Sequence, residues 1–291
     1  MRVEIFDERV CALGEGPAAV GTLNNEISWV DITGSRVLTR NLVTGLVDEF
    51  STGEPIGFAI PRSAGGYVLG TDGGPVLRDS DGKTHTFLKL AEIEPLTSQM
   101  EIRWNDAKVS PDGNLWMGTT GVEMLKGTSA LFKYDVRSSR VSRVLPDLTI
   151  SNGMDWSDDG STFYFIDSDW QEVRAFTVYN DEISKERTVI KVAESEGAPD
   201  GMCIDAGGGI WVALWGGSQV RRYDATDDFK LDQIIDVPAP FVTSCAFAGE
   251  KLDTLVITSA TDDKVDGPAE AGMTFCIKPG VAGRRSRTFN L

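Results

Sequence analysis

The stretch NDAKVSPDGNLWMGTT (residues 105–120) decides the fold, because two later stretches repeat its pattern. These are NGMDWSDDGSTFYFIDS (152–168) and DGMCIDAGGGIWVALWGG (200–217). Each stretch contains a short apolar strand, a Gly-containing turn and a second apolar strand. A further strand follows each of them, and convincing helical stripes of apolar residues are lacking. The pattern therefore indicates an all-β chain built from a repeated unit.

The aromatic residue of the second strand marks the period of this repeat. Trp116, Tyr164 and Trp211 lie about 47 or 48 residues apart, which is the spacing expected of β-propeller blades. Similar spacings, 38 to 49 residues over the whole chain, place three more equivalent residues at Trp29, Tyr67 and Leu255. We therefore predict a six-bladed β-propeller with four-stranded blades, forming a single domain over residues 1–291. The N-terminal stretch VEIFDE is expected to complete the last blade.

Composition narrows the classes of function. The 28 basic and 44 acidic residues give a formal net charge of -16, which disfavours nucleic acid and anionic membrane as partners. The opening MRVEIFDERV has no basic stretch before an apolar run, so we expect a soluble, cytoplasmic protein. The four cysteines form no CxxC motif, and the single histidine, His85, cannot supply a multi-histidine metal site. Any catalysis must then rest on carboxylates and a metal.

Polar residues recur at one phase of the repeat. Counting back from the marker aromatics finds an acid or amide at the entrance of the innermost strand in four of the six units: Glu15, Asn105, Asn152 and Asp200. The other two units have Ile56 and Ser244 near this position. Because equal offsets place residues at equal heights around a propeller axis, these four side chains should converge. Two carboxylates and two amides suit one divalent cation, either Ca²⁺, Mg²⁺ or Mn²⁺, with Zn²⁺ or Fe²⁺ also possible.

Taken singly, each of these residues has an ordinary structural interpretation. Asn-Gly and Asp-Gly are common turn dipeptides, so Asn152 or Asp200 alone could be a turn residue. Glu15, in LGEGP, could lie on a rim turn. Arg103 could be a solvated rim charge or a donor to substrate hydroxyls and a developing oxyanion. Only the shared phase favours a site.

The ordered motifs resemble the regucalcin (senescence marker protein-30)/gluconolactonase family. They are LGEGP (13–17), RWNDAKVSPDGNLWMGT (103–119), SNGMDWSDDGSTFYFIDS (151–168) and PDGMCIDAGGGIWVALWGG (199–217). The resemblance implies a six-bladed propeller that binds one divalent metal and hydrolyses aldonolactones. It implies that the metal ligands are Glu15, Asn152 and Asp200, with Asp200 also the base that takes a proton from water. Arg103 and Asn105 match the substrate-contacting residues of the family.

The sequence departs from the family pattern at two places, and two other functions compete with that of a lactonase. The second unit has no polar contact at the axis, and GTTGVEMLKG (118–127) differs from the usual family sequence, which leaves the sugar open. The same metal could serve a hydrolase of another ester or a phosphoester. A non-catalytic calcium-binding or interaction propeller is the other alternative. The leading hypothesis is a lactonase acting on a small-molecule sugar lactone; the metal and the oligomeric state are not specified.

Overall fold

The regular secondary structure of the described residues is almost entirely β-strand. The computed structural model describes residues 2–21, 23–89, 93, 102–261 and 267–291. Two short 3-10 helices, Ser168–Trp170 and Glu194–Glu196, interrupt the strands. Within the described ranges, no helix is both long and apolar enough to cross a membrane.

The strands have the following bounds in chain order. The first half contains β1 (Glu4–Asp7), β2 (Gly14–Val20), β3 (Glu26–Asp31), β4 (Arg36–Asn41), β5 (Val47–Ser51), β6 (Ile56–Pro61), β7 (Tyr67–Thr71), β8 (Gly74–Arg78), β9 (Thr84–Thr86), β10 (Ile102–Val109), β11 (Leu115–Gly121) and β12 (Ser129–Asp135). The second half contains β13 (Arg140–Leu148), β14 (Ser151–Trp156), β15 (Thr162–Asp167), β16 (Glu172–Tyr179), β17 (Glu182–Lys191), β18 (Ala198–Ile204), β19 (Gly209–Trp215), β20 (Gln219–Asp224), β21 (Lys230–Asp236), β22 (Phe241–Ala248), β23 (Thr254–Ala260) and β24 (Thr274–Ile277).

These strands form four-stranded antiparallel sheets in a propeller-like arrangement. Four separate sheets contain β2–β5, β6–β9, β10–β13 and β14–β17, each with its strands in chain order. The remaining strands form one eight-stranded sheet, in which β18–β21 and the group β22, β23, β24 and β1 meet. The prediction of six separate four-stranded blades is therefore corrected: four blades are separate sheets, and the other two groups of four strands share one sheet. The reason is one residue pair, Trp215 with Phe241, whose backbones hydrogen-bond between β19 and β22.

The repeat predicted from the marker residues is confirmed at the level of strands. All six markers lie on the second strand of their group, namely β3, β7, β11, β15, β19 and β23. The first strands β2, β6, β10, β14, β18 and β22 contact one another in this order, and β22 contacts β2. They therefore form a closed inner ring.

The N-terminus closes this ring from the outside. Strand β1 pairs antiparallel with β24, where Glu4 lies opposite Cys276 and Ile5 opposite Phe275. The expectation that VEIFDE completes the last group is therefore confirmed. This pairing covers the outer edge of β24, and β1 becomes the edge strand of the sheet.

Apolar clusters fill the spaces between neighbouring groups. One of them contains Trp116 and Trp156, whose rings pack edge to face with centroids 5.4 Å apart. Cys11, Cys203 and Cys245 are buried and Cys276 is half-buried, and all four are free thiols. The cysteines thus act as small buried side chains. His85 lies far out on β9, where Nε2 is 2.9 Å from Asp79 Oδ2.

The closure by β1 can be tested with two neighbouring side chains. Phe6 is buried against Trp29, with ring centroids 6.3 Å apart, whereas Ile5 is 46% exposed. Phe6→Ala should destabilise the fold by about 3 kcal/mol because it removes a buried aromatic ring. Ile5→Ala, on the other face of the same strand, should change stability by only about 0.5 kcal/mol. Urea unfolding measures both values, and equal losses would contradict a closing role for Phe6.

Candidate functional site

The predicted site residues lie where the inner strands deviate from regular pairing. Each of the six first strands carries one extra residue relative to its partner, at the same level of the ring. The irregularities span Glu15 to Ala18, Ile56 to Ala59, Trp104 to Ala107, Ser151 to Met154, Pro199 to Met202 and Val242 to Ser244. Such bulges redirect side chains and occur often beside active sites. Asn105, Asn152 and Asp200 lie inside them, and Glu15 begins one.

A chain of hydrogen bonds connects three of the inner strands. Asn105 Nδ2 donates to Asn152 Oδ1 and to the Ser151 carbonyl, at 2.8 Å each. Asn152 Nδ2 donates to Ser168 Oγ at 2.8 Å, and that hydroxyl donates to the Pro199 carbonyl at 2.7 Å. These bonds set the orientation of both amides. Asn152 Oδ1 accepts one hydrogen bond and keeps a second lone pair.

Arg103 begins this series of hydrogen bonds. Its Nη1 donates to Asn105 Oδ1 at 2.6 Å and to the Trp104 carbonyl at 3.0 Å. Burial lowers the pKa of Arg103, and the nearby acids Glu15 and Asp200 oppose that effect. A guanidinium retains its charge under such conditions. Arg103 therefore brings a fixed positive charge next to the two amides.

The two acids of the predicted site are electrostatically strained. Burial raises the pKa of Glu15 to about 8, with repulsion from Asp106 as the next cause, although Glu15 itself is only half-buried. Burial and repulsion from Glu15 raise the pKa of Asp200 well above its usual range. Asp200 is 4% exposed, and its Oδ1 has no hydrogen-bond partner. Both carboxyl groups lack the positive charge that their ionised forms require.

These donors fit a divalent cation. The structure supplies two carboxyl groups, one of them with an orphaned buried oxygen, and an amide oxygen with a free lone pair. Oxygen ligands of this kind are those that Ca²⁺, Mg²⁺ and Mn²⁺ prefer. No cluster of three or more His, Cys, Asp or Glu side chains suited to a metal occurs in the described ranges. The candidate centre would therefore depend on Asn152 as well as on acids.

The structure adds residues that the sequence did not single out. Asp106, next to Asn105 in the same bulge, has its pKa raised to about 6 by burial and interacts with both Glu15 and Asp200. In a regular strand the side chains of Asn105 and Asp106 would point in opposite directions. The only sequence sign that Asp106 belongs to the site is its position in RWND (103–106). Ser168, the last residue of the stretch 152–168, lies in a 3-10 helix, and nothing in the sequence marked it as a site residue.

Comparison with known proteins places the chain in a family. The model of the SMP-30/gluconolactonase/LRE-like region matches residues 13–261. The chain belongs to this family. It is 33% identical to regucalcin of Danio rerio over 291 residues, covering 97% of this chain and 96% of the relative.

Two solved structures are similar over nearly the whole chain. A luciferin-regenerating enzyme has a TM-score of 0.90 at 25% identity and covers 99% of both chains. The regucalcin of Agrobacterium tumefaciens, described as a calcium-binding protein, has a TM-score of 0.89 at 26% identity. It covers 100% of this chain and 98% of its own.

Because the pKa of Glu15 is raised, we expect the stability of the metal-free protein to depend on pH. Between pH 4.5 and about pH 8, Glu15 is protonated in the folded state and ionised in the unfolded chain. The folded state then binds more protons, so stability should fall as pH rises through this interval. Thermal unfolding across the interval measures the slope.

Glu15→Gln should flatten that slope because it removes the titrating group, whereas Glu8→Gln, at an exposed position, should leave it unchanged. A slope that is the same in wild type and Glu15→Gln would contradict the strained state of Glu15.

Proposed function

We propose that this protein is a metal-dependent lactonase that opens the ring of a sugar lactone to the sugar acid. Glu15, Asn152 and Asp200 would hold one divalent metal, and Arg103 and Asn105 would bind the substrate. The observation that carries the proposal is the buried, unpaired Oδ1 of Asp200, which lies in the same bulged ring as Glu15 and the paired amides. Membership of a family that includes gluconolactonases supports the reaction type.

We also infer that residues 1–291 form one six-bladed domain. The pair Trp215–Phe241 joins the two groups of the eight-stranded sheet at a single point. Elsewhere these groups face each other across an apolar cluster, in which Trp211 packs edge to face on Phe247 at 5.8 Å. The same kind of cluster separates the other sheets. A cytoplasmic location stays a prediction from the sequence.

The chain's own residues would perform most of the reaction. A bound divalent cation polarises a carbonyl group and lowers the pKa of bound water. Asp200 would accept the proton of the attacking water, and Asp200 or water would protonate the ring oxygen as the ring C–O bond breaks. The buried Oδ1 of Asp200 has no competing hydrogen bond. Arg103 and Asn105, already oriented by their mutual 2.6 Å hydrogen bond, would hold substrate hydroxyls in place. The guanidinium of Arg103 would also stabilise negative charge that develops on the carbonyl oxygen.

The oxygen ligands of the site indicate which divalent metals it would bind. The oxygen donors favour Ca²⁺, Mg²⁺ or Mn²⁺ over softer ions, although Zn²⁺ and Fe²⁺ also accept them. The relative described as a calcium-binding protein supports Ca²⁺ as the first ion to test. Lactone hydrolysis by the loaded protein distinguishes this proposal from a non-catalytic calcium-binding propeller.

A second candidate is a hydrolase of a less polar ester. Arg103 pairs with Thr120 at the edge of the site, and the segment that leaves β11 there carries Val122, Met124 and Leu125 with about half of each side chain exposed. An apolar lip beside Arg103 would suit an ester with an apolar group. Rates with apolar lactones that exceed those with sugar lactones would favour this candidate.

The two roles proposed for Asp200 can be separated with Asp200→Asn. This variant keeps a ligating oxygen but loses the charge and the basicity, so metal should bind more weakly yet still saturate the site. At saturation the lactonase rate should stay about 10² to 10⁴-fold below wild type because the general base is missing. Calorimetric metal titration and steady-state rates measure the two effects. If the rate returns once the site is filled, Asp200 acts as a ligand only.

A further inference from the structure

A cavity of about 90 Å³ lies on the axis next to the candidate site. Residues of all six inner strands line it, and two of them, Gly16 and Asp106, directly follow Glu15 and Asn105. Residues 284–287 of the C-terminal segment complete its wall. The volume is several times that needed by one water molecule.

The C-terminal segment is held firmly in this position. Arg284 Nη2 donates to the Trp156 carbonyl at 2.6 Å, and Phe289 is fully buried in the cluster that contains Trp104. Arg62 Nη2 donates to the carbonyl oxygen of Leu291 at 2.8 Å. The segment is therefore a fixed part of the wall.

Basic side chains outnumber acidic ones around this cavity. Four basic residues line it, namely Lys108, Arg284, Arg285 and Arg287, against Asp106 and Asp155. Lys108 Nζ is 3.0 Å from Asp155 Oδ2, and Arg284 Nη2 is 3.5 Å from Asp155 Oδ1. Asp158 also lies 3.9 Å from Arg284, but it is 95% exposed, so solvent screens it. Asp155 is thus the carboxylate closest to several of these cations, and Asp106 is the second acid in the wall.

The hydrogen bonds that Asp155 accepts come from groups other than Arg287. Its Oδ1 accepts from the Trp156 backbone at 2.8 Å, and its Oδ2 accepts from Lys108 and from the Ile204 backbone at 3.2 Å. Arg287 Nη1 lies 4.0 Å from Asp155 Oδ1, which is beyond hydrogen-bond distance. Partial burial lowers the pKa of Arg287, and repulsion from Arg284 lowers it further, although 32% of the Arg287 side chain stays exposed.

We propose that this cavity binds a small oxyanion of the size of inorganic phosphate, with Arg287 and Lys108 as its principal donors. Arg287 presents a planar fork of N–H donors that matches two phosphate oxygens. Lys108 adds a point charge from β10, and its Nζ also donates to the Met202 carbonyl at 3.3 Å. The bound anion would balance a positive excess in a chain whose overall charge is -16. Such compensation stabilises the folded state because closely spaced cations that are partly removed from water repel one another.

The test uses the full chain freed of metal on a chelating resin, since a soluble polycarboxylate chelator would compete for the cavity. Inorganic phosphate is titrated at constant ionic strength, and the thermal midpoint is followed. The midpoint should rise by about 3 °C when phosphate reaches about ten times its Kd. Phosphate also stabilises proteins by exclusion from their surfaces, so the informative quantity is the difference between variants.

Arg287→Gln and Lys108→Met should each remove most of the saturable rise in the midpoint. Lys278→Gln should keep it, since Lys278 is 69% exposed and pairs with Asp253 on the surface. If one cavity variant fails to fold, the other provides the comparison, and calorimetry of phosphate with wild-type protein measures binding directly. An equal rise in all variants, or no calorimetric binding to wild type, would overturn the proposal.

One more variant separates this site from the candidate metal centre. Asn152→Ala should retain the full phosphate response because Asn152 does not line the cavity. A response lost with Asn152→Ala would place the anion at the metal centre instead and overturn the proposal. Absence of lactonase activity would leave the phosphate result unaffected, so the two hypotheses fail separately.

Discussion

Close backbone contact between the inner strands is the constraint on which the rest of the structure depends. A Cβ atom on Gly153 would lie 2.7 Å from the Asp200 carbonyl oxygen, and one on Gly57 would lie 2.2 Å from the Trp104 carbonyl oxygen. Only glycine permits this approach. The contact brings neighbouring strands together at the level where each strand bulges. It thereby gathers Asn105, Asn152 and Asp200 from separate groups around one axis.

This geometry removes carboxyl groups from water without supplying enough positive charge. Glu15 and Asp200 repel each other, and Arg103 offsets only part of that repulsion. At the adjoining cavity the imbalance has the opposite sign, with Lys108, Arg284 and Arg287 around Asp155. The axis therefore has an excess of negative charge at the candidate metal site and an excess of positive charge at the adjoining cavity. A cation at one and an anion at the other would neutralise both.

The sequence predicted the features that repeat, because a repeat leaves a periodic signal. The marker aromatics identified the second strands, and VEIFDE was correctly assigned to the closing strand. Asn105 and Asn152 occupy equivalent positions in the repeat, which predicted that their side chains converge. The structure confirms this with a 2.8 Å hydrogen bond between the two amides. The roles of the site residues in metal binding and catalysis stay predictions.

Features that depend on one contact between distant residues could not be predicted in this way. The pair Trp215–Phe241 merges two groups into one sheet because Phe241 belongs to β22. The equivalent pairs Thr120–Ile150 and Leu13–Ala260 are isolated bridges and merge no sheets. Asp106 joins the site because the strand bulges, and alternation of side chains predicts the opposite direction. Arg287 reaches the axis because Phe289, two residues later, is buried in a distant cluster.

The most direct test of the account is the rate of sugar-lactone hydrolysis as divalent metal is added back to metal-free protein. A panel of sugar lactones is used, with Ca²⁺ as the first ion and Mg²⁺, Mn²⁺ and Zn²⁺ as the others. The account predicts a rate that rises in proportion to added metal and reaches a plateau at one equivalent per chain. It also predicts that Asn152→Ala needs far more metal to reach any plateau. Hydrolysis that is independent of metal, or no hydrolysis of any lactone at full occupancy, would contradict it.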